Sequence, residues 1–154
     1  MANDAKGEGI RNLDEQLCFA VYSTAHAFNR LYRPFLAELG LTYPQFLAML
    51  VLWERDGQTV TAIGDRLLLD SGTLTPLLKR LEGAGLVERR RSRDDERQVQ
   101  VHLTAQGRAL RDKAGATDNA VPCAVEDSAV DKERLLADVL ALRGALLRAA
   151  GAGN

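Results

Sequence analysis

Positions Leu13, Leu17, Ala20, Val21, Thr24, Ala27, Phe28 and Leu31 recur at three- and four-residue steps, which predicts an amphipathic helix. Asn12 with Glu15 is a candidate capping pair at its start. Pro34 is expected to kink or end this helix, and Gly40 to close the turn that follows. In "LTYPQF", Thr42 and Gln45 stand at capping-box spacing, and Pro44 falls in the first turn, where its missing N–H costs nothing. A second helix is therefore expected from there to about Asp56.

Two shorter helices follow, at about 59–68 and 71–84. The second lies behind Asp70 or Ser71, ahead of Gly83 and Gly85, with Pro76 expected to constrain its first turn. Then the period switches. "LVERRR" and "VQVHLT" are two short β-prone runs around the polar connector "SRDDERQ", which reads as a hairpin at about 86–103. "LTAQGRALRDKAG" returns to helix after Thr104. "ATDNAVPCAVEDSAVD" has no clear period and is expected as a turn or a frayed helix end. Leu135, Leu136, Val139, Leu140, Leu142, Leu146 and Leu147 make the tail a strongly apolar helix. Two short helices ahead of a charged hairpin give a winged helix-turn-helix pattern, mainly α with a small β wing.

Bulk properties narrow the function only by exclusion. A chain of 154 residues fits one domain with a core of its own, and a net charge of −1 announces no nucleic-acid partner. Any such role must come from local clustering. Seven basic residues lie between Lys79 and Arg97: those two, Arg80, Arg89, Arg90, Arg91 and Arg93. Against them stand Glu82, Glu88, Asp94, Asp95 and Glu96. The arginines concentrate on a strand and turn, a shape suited to groove and phosphate contacts. Ser71, Thr73 and Thr75 offer short hydroxyl donors at the front of the preceding helix. Asp95, two residues before Arg97, is placed to hold that arginine extended as a buttress. A merely solvated charged hairpin is the competing reading.

Two cysteines far apart in sequence make neither a disulfide scaffold nor a zinc site. The N-terminus lacks an apolar segment, and no run approaches 18 apolar residues. The expectation is therefore the reducing cytoplasm, with no membrane partner. There, a cysteine pair is either inert filler or a redox device. His26 and His102 have no ligand partner at metal spacing, no cofactor is implied, and Trp53 is expected in the core.

The stretch "TVTAIGDRLLLDSGTLTPLLKRLEGAGLVERRRSRDDERQVQVHLTAQGRAL" resembles the MarR family of dimeric winged-helix transcription regulators. The resemblance extends almost end to end, through "LDSGTLTPLLKRLEGAGLV", the "DxR" of the hairpin tip and the "LTxxG" after it. It is nearest to the organic hydroperoxide resistance regulators, in which an N-terminal helix cysteine is followed by tyrosines at the spacings of Tyr22, Tyr32 and Tyr43. The chain has three tyrosines, and all three fall on those positions.

The resemblance implies a homodimer built from helices at about 13–40 and 104–150, with a winged lobe at about 42–103 that binds double-stranded operator DNA. Residues 71–80, including Lys79 and Arg80, would form the recognition helix. Arg91, Arg93 and Arg97, the last steadied by Asp95, would serve the wing, with Arg97 entering the minor groove. Cys18 would be the peroxide-reactive thiol. Tyr32 and Tyr43 would reach it from the partner subunit, Tyr22 lies one turn along its own helix, and Cys123 would be the resolving cysteine.

The chemistry is coherent. A thiol attacks a peroxide bond as thiolate, and a helix N-terminus or phenol O–H donors favour that anion. Leu17, Phe19, Val21 and Phe46 would favour organic hydroperoxides, because an alkyl chain gains about 0.8 kcal/mol per buried CH₂. Two alternatives stay open at this point: a repressor answering to a small aromatic ligand with Cys18 uninvolved, and a thiol peroxidase that turns over. The arginine wing argues against the peroxidase, since a catalyst has no use for it.

Overall fold

The computed structural model describes residues 10–92, 95 and 97–151, and the chain divides into two compact units, Met1–Ala120 and Val121–Asn154. The first opens with a single 3₁₀ turn, Leu13–Glu15, and continues through α1 (Leu17–Leu39), α2 (Tyr43–Glu54), β1 (Gln58–Thr59), α3 (Val60–Leu67) and α4 (Ser71–Gly83). It closes with β2 (Val87–Arg91), β3 (Val99–Leu103), α5 (Ala105–Lys113) and α6 (Gly115–Asp118). A short α7 (Ala120–Ala124) leads into α8 (Lys132–Gly151).

Local chemistry accounts for most boundaries. Thr42 and Gln45 form the reciprocal capping box at α2, and Thr59, Asp70 and Thr104 cap α3, α4 and α5 by accepting from the N–H three residues on. The fold departs from expectation in four places. Asn12 starts the 3₁₀ turn rather than α1, which begins only at Leu17. Pro34 does not end α1: it lies inside a helix that runs to Leu39 and stops at left-handed Gly40. Arg30, whose carbonyl loses its partner there, faces solvent, as does Pro34, so water can take the lost bond. Pro76 sits beyond the first turn of α4, where Gly72 is likewise exposed. The aperiodic stretch after α5 forms α6 and α7, anchored by buried Thr117 and Ala120.

The core of the first unit gathers Phe46, Met49 and Leu52 of α2, Ile63 of α3, Leu74, Leu78 and Leu81 of α4, and Val101 of β3. Leu36 and Leu39 bring the end of α1 into the same cluster. The hairpin expected from sequence is present and gains a third strand. β1 pairs antiparallel with β3, giving the order β1-β3-β2, with Val87 opposite Leu103 and Arg91 opposite Val99.

Two glycines permit close approaches. A Cβ on Gly64 would meet the Leu69 carbonyl oxygen at 2.9 Å, so a side chain there would push the α3–α4 turn open. A Cβ on Gly107 would lie 2.0 Å from the Leu86 carbonyl oxygen, so only glycine lets α5 rest on the start of the wing. Between α3 and α4, Leu68 adopts φ 55°, a left-handed conformation that strains a residue with a Cβ by about 1–2 kcal/mol. The tight turn is held at that cost.

Candidate thiol site and nucleic-acid interface

Because α1 starts at Leu17, Cys18 is its second residue, inside the first turn where backbone N–H groups lack helical partners. Gln16 precedes the helix without capping it; its side-chain amide turns back to donate to the Arg11 carbonyl at 3.0 Å. Cys18 is exposed and has a free thiol. It therefore lies nearer the helix start than the sequence suggested.

Tyr22, one turn on, is 62% exposed, and its ring meets His26 edge-on at 4.4 Å and Phe19 at 6.5 Å. Tyr32 and Tyr43 stand together elsewhere in the unit: their rings stack at 5.2 Å with 25° between planes. Both are half-buried, and burial raises both phenols above the usual tyrosine value; for Tyr32 the neighbouring Tyr43 and Asp118 add to the effect. Both therefore stay protonated O–H donors throughout the neutral range. Phe46 is buried behind them, whereas Leu17 and Val21 remain exposed. Cys123 lies on α7 in the second unit, exposed and with a free thiol.

On the other face, α4 buries Leu74, Leu77, Leu78 and Leu81 and turns Ser71, Thr73, Lys79 and Arg80 outward. Asp70 caps the helix through the Thr73 N–H at 2.8 Å and also accepts the Thr73 hydroxyl at 3.2 Å. These bonds hold the Asp70 carboxyl below its ordinary range. Thr75 is half-buried rather than presented at the front of the helix; with Thr59, Thr61, Arg89, Arg97 and Gln98 it lines a cavity of about 250 Å³ between α3, α4 and the wing.

The wing arginines divide into two groups. Arg91 and Arg97 are exposed, and Arg93 lies outside the described residues. Arg89 points inward, giving its N–H to Glu82 Oε1 at 3.0 Å and its guanidinium to Glu82 Oε2 at 2.8–2.9 Å. Those bonds pull the Glu82 carboxyl down. Arg90 pairs with Glu88 on the same strand. Glu82, one of the acids that stand against the arginines in the sequence, thus fastens the wing to α4.

The Asp95 buttress takes another form than expected: it accepts from the backbone N–H of Arg97 at 3.0 Å and the side-chain amide of Gln98 at 3.2 Å. It fixes the path of the tip from which Arg97 projects. A two-residue spacing sets the turn's backbone more readily than it reaches the end of a long side chain.

Trp53, Asp56 and Arg108, which hold the wing's base, carried no functional signal in the sequence reading. The Trp53 indole N–H donates to the Gly107 carbonyl at 2.9 Å. Asp56 Oδ1 accepts from Leu103 N–H at 2.8 Å, and Oδ2 accepts from Arg108 at 2.7 Å. Burial pushes the Asp56 carboxyl up, but the bonds from Leu103, Arg108 and Gly57 outweigh it and hold it below its ordinary range. The "LTxxG" motif was the available clue: Thr104 donates to the Gly85 carbonyl at 2.6 Å and caps Gly107, joining both ends of the wing to α5.

Comparisons with known proteins bear on this arrangement. A family model described as transcriptional regulator SarA/Rot matches residues 30–114. The chain is 55% identical over 131 residues to the HTH-type transcriptional regulator TtmR of Methylorubrum extorquens (strain PA1), spanning 85% of this chain and 67% of that one. It is 50% identical over 102 residues to the organic hydroperoxide resistance transcriptional regulator of Bacillus subtilis (strain 168), spanning 66% and 69%. Solved structures of AbfR, one of them AbfR of Staphylococcus epidermidis, are similar at 35–36% identity. Reduced AbfR bound to DNA superposes with a TM-score of 0.75 over 90% of this chain and 94% of that one. The disulfide-formed state gives 0.64 over 88% and 92%. Among the described residues, no single helix is long and apolar enough to cross a membrane.

Proposed function

Since the chain belongs to the winged-helix transcriptional regulators of the MarR and SarA/Rot type, in the branch of the organic hydroperoxide resistance regulators, we propose that it is a redox-sensing repressor. It holds operator DNA while Cys18 is reduced and releases it when an organic hydroperoxide oxidises that thiol. The observation that carries this reading is the exposed Cys18 thiol in the first turn of α1, ahead of which Gln16 leaves the helix end uncapped.

The working form is a homodimer. Leu17, Val21 and Phe28 of α1, and Leu135, Leu136, Val139, Leu140, Leu146 and Leu147 of α8, are large apolar side chains exposed in the single chain. A second copy covering them would form the seam, bring Tyr32 and Tyr43 of one subunit to Cys18 of the other, and set two winged lobes at half-site spacing. The exposed front of α4, with Ser71, Thr73, Lys79 and Arg80, enters the major groove. Arg91, Arg93 and Arg97 serve the flanking backbone and minor groove, on a tip shaped by Asp95. Thr75 supports α4 from behind.

In the sensing step, the Cys18 thiolate attacks the distal peroxide oxygen. An S–O bond forms and the O–O bond breaks. The hydroxyl stays on sulfur as a sulfenic acid, the sulfur being oxidised by two electrons. The leaving alkoxide takes from solvent the proton that the thiol gave up on ionising. Cys123 of the other subunit then attacks that sulfur, forming a disulfide and releasing water. The neutral phenols of Tyr32 and Tyr43 donate hydrogen bonds to the thiolate and are displaced when it is consumed. Each subunit reacts once, as a signal.

A direct test treats the dimer with one equivalent of tert-butyl hydroperoxide per subunit and runs a non-reducing gel with peptide mass mapping. A reducible Cys18–Cys123 cross-link in wild type, absent from Cys18→Ser and Cys123→Ser, supports the reading. An unmodified Cys18 after treatment refutes it.

A further inference from the structure

The phenol pair and the wing are at opposite ends of α2, and one chain of contacts joins them along it. Tyr43 opens α2 and stacks on Tyr32. Phe46, on the next turn, faces Tyr32 with ring centroids 6.3 Å apart. Trp53 lies two turns further along the same helix face and meets Phe46 edge-on at 6.2 Å. Both rings are buried, so they cannot shift independently without opening a void.

At its far end α2 is fastened to the exact place where β3 hands over to α5. The Trp53 indole holds the Gly107 carbonyl, and Asp56, two residues beyond the helix, holds the Leu103 N–H and the Arg108 guanidinium. Gly107 in turn rests on the Leu86 carbonyl at the foot of β2. Arg89 of β2 is clamped by Glu82 of α4. A displacement of α2 delivered to the wing's base therefore reaches the recognition helix as well.

We infer that α2 is the coupling element between the phenol pair and the DNA-reading lobe, with Trp53 and Asp56 as the positioning residues that pass its displacement to the wing. This rests on the redox reading above. Losing the bond to the thiolate frees Tyr32 and Tyr43 to repack, the N-terminal end of α2 follows Tyr43, and the fastened end carries the wing with it. Trp53 and Asp56 belong neither to the thiol site nor to the DNA-reading residues proposed above. Their role is in how much the oxidation state of one is felt by the other, which is a coupling between two sites.

The test measures that coupling directly, in the full-length dimer. Wild type, Trp53→Phe and Asp56→Asn are titrated against a duplex selected in vitro on the reduced protein, before and after one equivalent of tert-butyl hydroperoxide. Cys18 oxidation is followed separately by thiol titration. Trp53→Phe keeps an aromatic six-membered ring and deletes the donor with the pyrrole half of the indole; Asp56→Asn keeps the shape and deletes the charge. Should Trp53→Phe fail to fold, Arg108→Gln cuts the same fastening from its exposed side.

A purely structural role would weaken both states in proportion and leave their affinity ratio unchanged. The inference expects reduced-state affinity within about three-fold of wild type, Cys18 oxidised at the wild-type rate, and the reduced-to-oxidised ratio lowered about ten-fold. A responsive wild type beside variants with the same ratio overturns the inference alone. A wild type that binds equally in both states overturns the redox reading, and the inference with it.

Discussion

The lobe from α2 to α5 and the helices α1 and α8, which precede and follow it in the chain, use apolar residues in opposite ways. In the lobe, Met49, Leu52, Ile63, Leu74, Leu78, Leu81 and Val101 are almost wholly buried. Among the described residues every fully buried side-chain polar atom has a partner. Along α8 the leucines at 135, 136, 140, 146 and 147 are exposed, and the first turns of α1 leave Leu17 63% exposed. The lobe satisfies its own apolar surface within one chain, whereas α1 and α8 carry stripes that one chain leaves uncovered. The first closes on itself; the second is the surface on which the proposed dimer would form, and the exposed Cys18 lies on it.

The comparison breaks most visibly at α8. Replacing Leu136 and Leu140 together with glutamate should leave the lobe folded but convert dimer to monomer in sedimentation. Operator affinity should fall about 100-fold or more, because two linked lobes gain from effective concentration what one cannot. A dimer that persists with unchanged affinity would place the seam elsewhere.

On the lobe, Arg97→Ala should weaken operator binding about ten-fold and lower the salt dependence by roughly one counterion, with dimerisation untouched. Anisotropy titrations at several salt concentrations read both quantities. Gly107→Ala sharpens the claim of rigidity: its Cβ has no room against Leu86, so thermal unfolding should show a loss of about 1–3 kcal/mol. Gly115→Ala, which meets nothing within 4 Å, serves as the control and should be nearly silent.

The smallest effect is on acid stability. Asp56 and Glu82 sit below their ordinary values of 3.8 and 4.5 in the folded chain. The unfolded chain therefore binds protons first as pH falls. The stability these carboxylates contribute is complete above those values and is lost as pH drops through the lower folded ones. Urea midpoints should fall between pH 5 and pH 3, and less steeply in Asp56→Asn.

The lobe was far more legible in the sequence than the site it serves. Capping residues at Thr42, Thr59, Asp70 and Thr104 and the switch of period after Gly85 mark its elements, because those signals are local. β1 escaped notice since two residues show no alternation; it exists only because β3 offers an edge. Pro34 misled because the turn it interrupts, with Arg30 and Pro34 both exposed, is not packed in the core. Trp53 and Asp56 bond to residues far along the chain, and Glu82 bonds across the α4–β2 turn. The sequence read Asp56 only as a helix end and Glu82 only as one of the acids set against the arginines. The resemblance gave Tyr32 and Tyr43 one shared role, and their rings do stack, whereas the approach to Cys18 proposed for them needs a second subunit and has no trace in one chain's sequence.

The central claim is that oxidation of one exposed thiol changes how the lobes hold DNA. The measurement closest to it is the affinity of the reduced dimer for its selected duplex, repeated after one equivalent of tert-butyl hydroperoxide and again after dithiothreitol, with Cys18→Ser in parallel. The account expects wild type to let go on oxidation and rebind on reduction, while Cys18→Ser stays bound throughout. Wild type that remains bound with Cys18 oxidised, or Cys18→Ser released by peroxide, would contradict it.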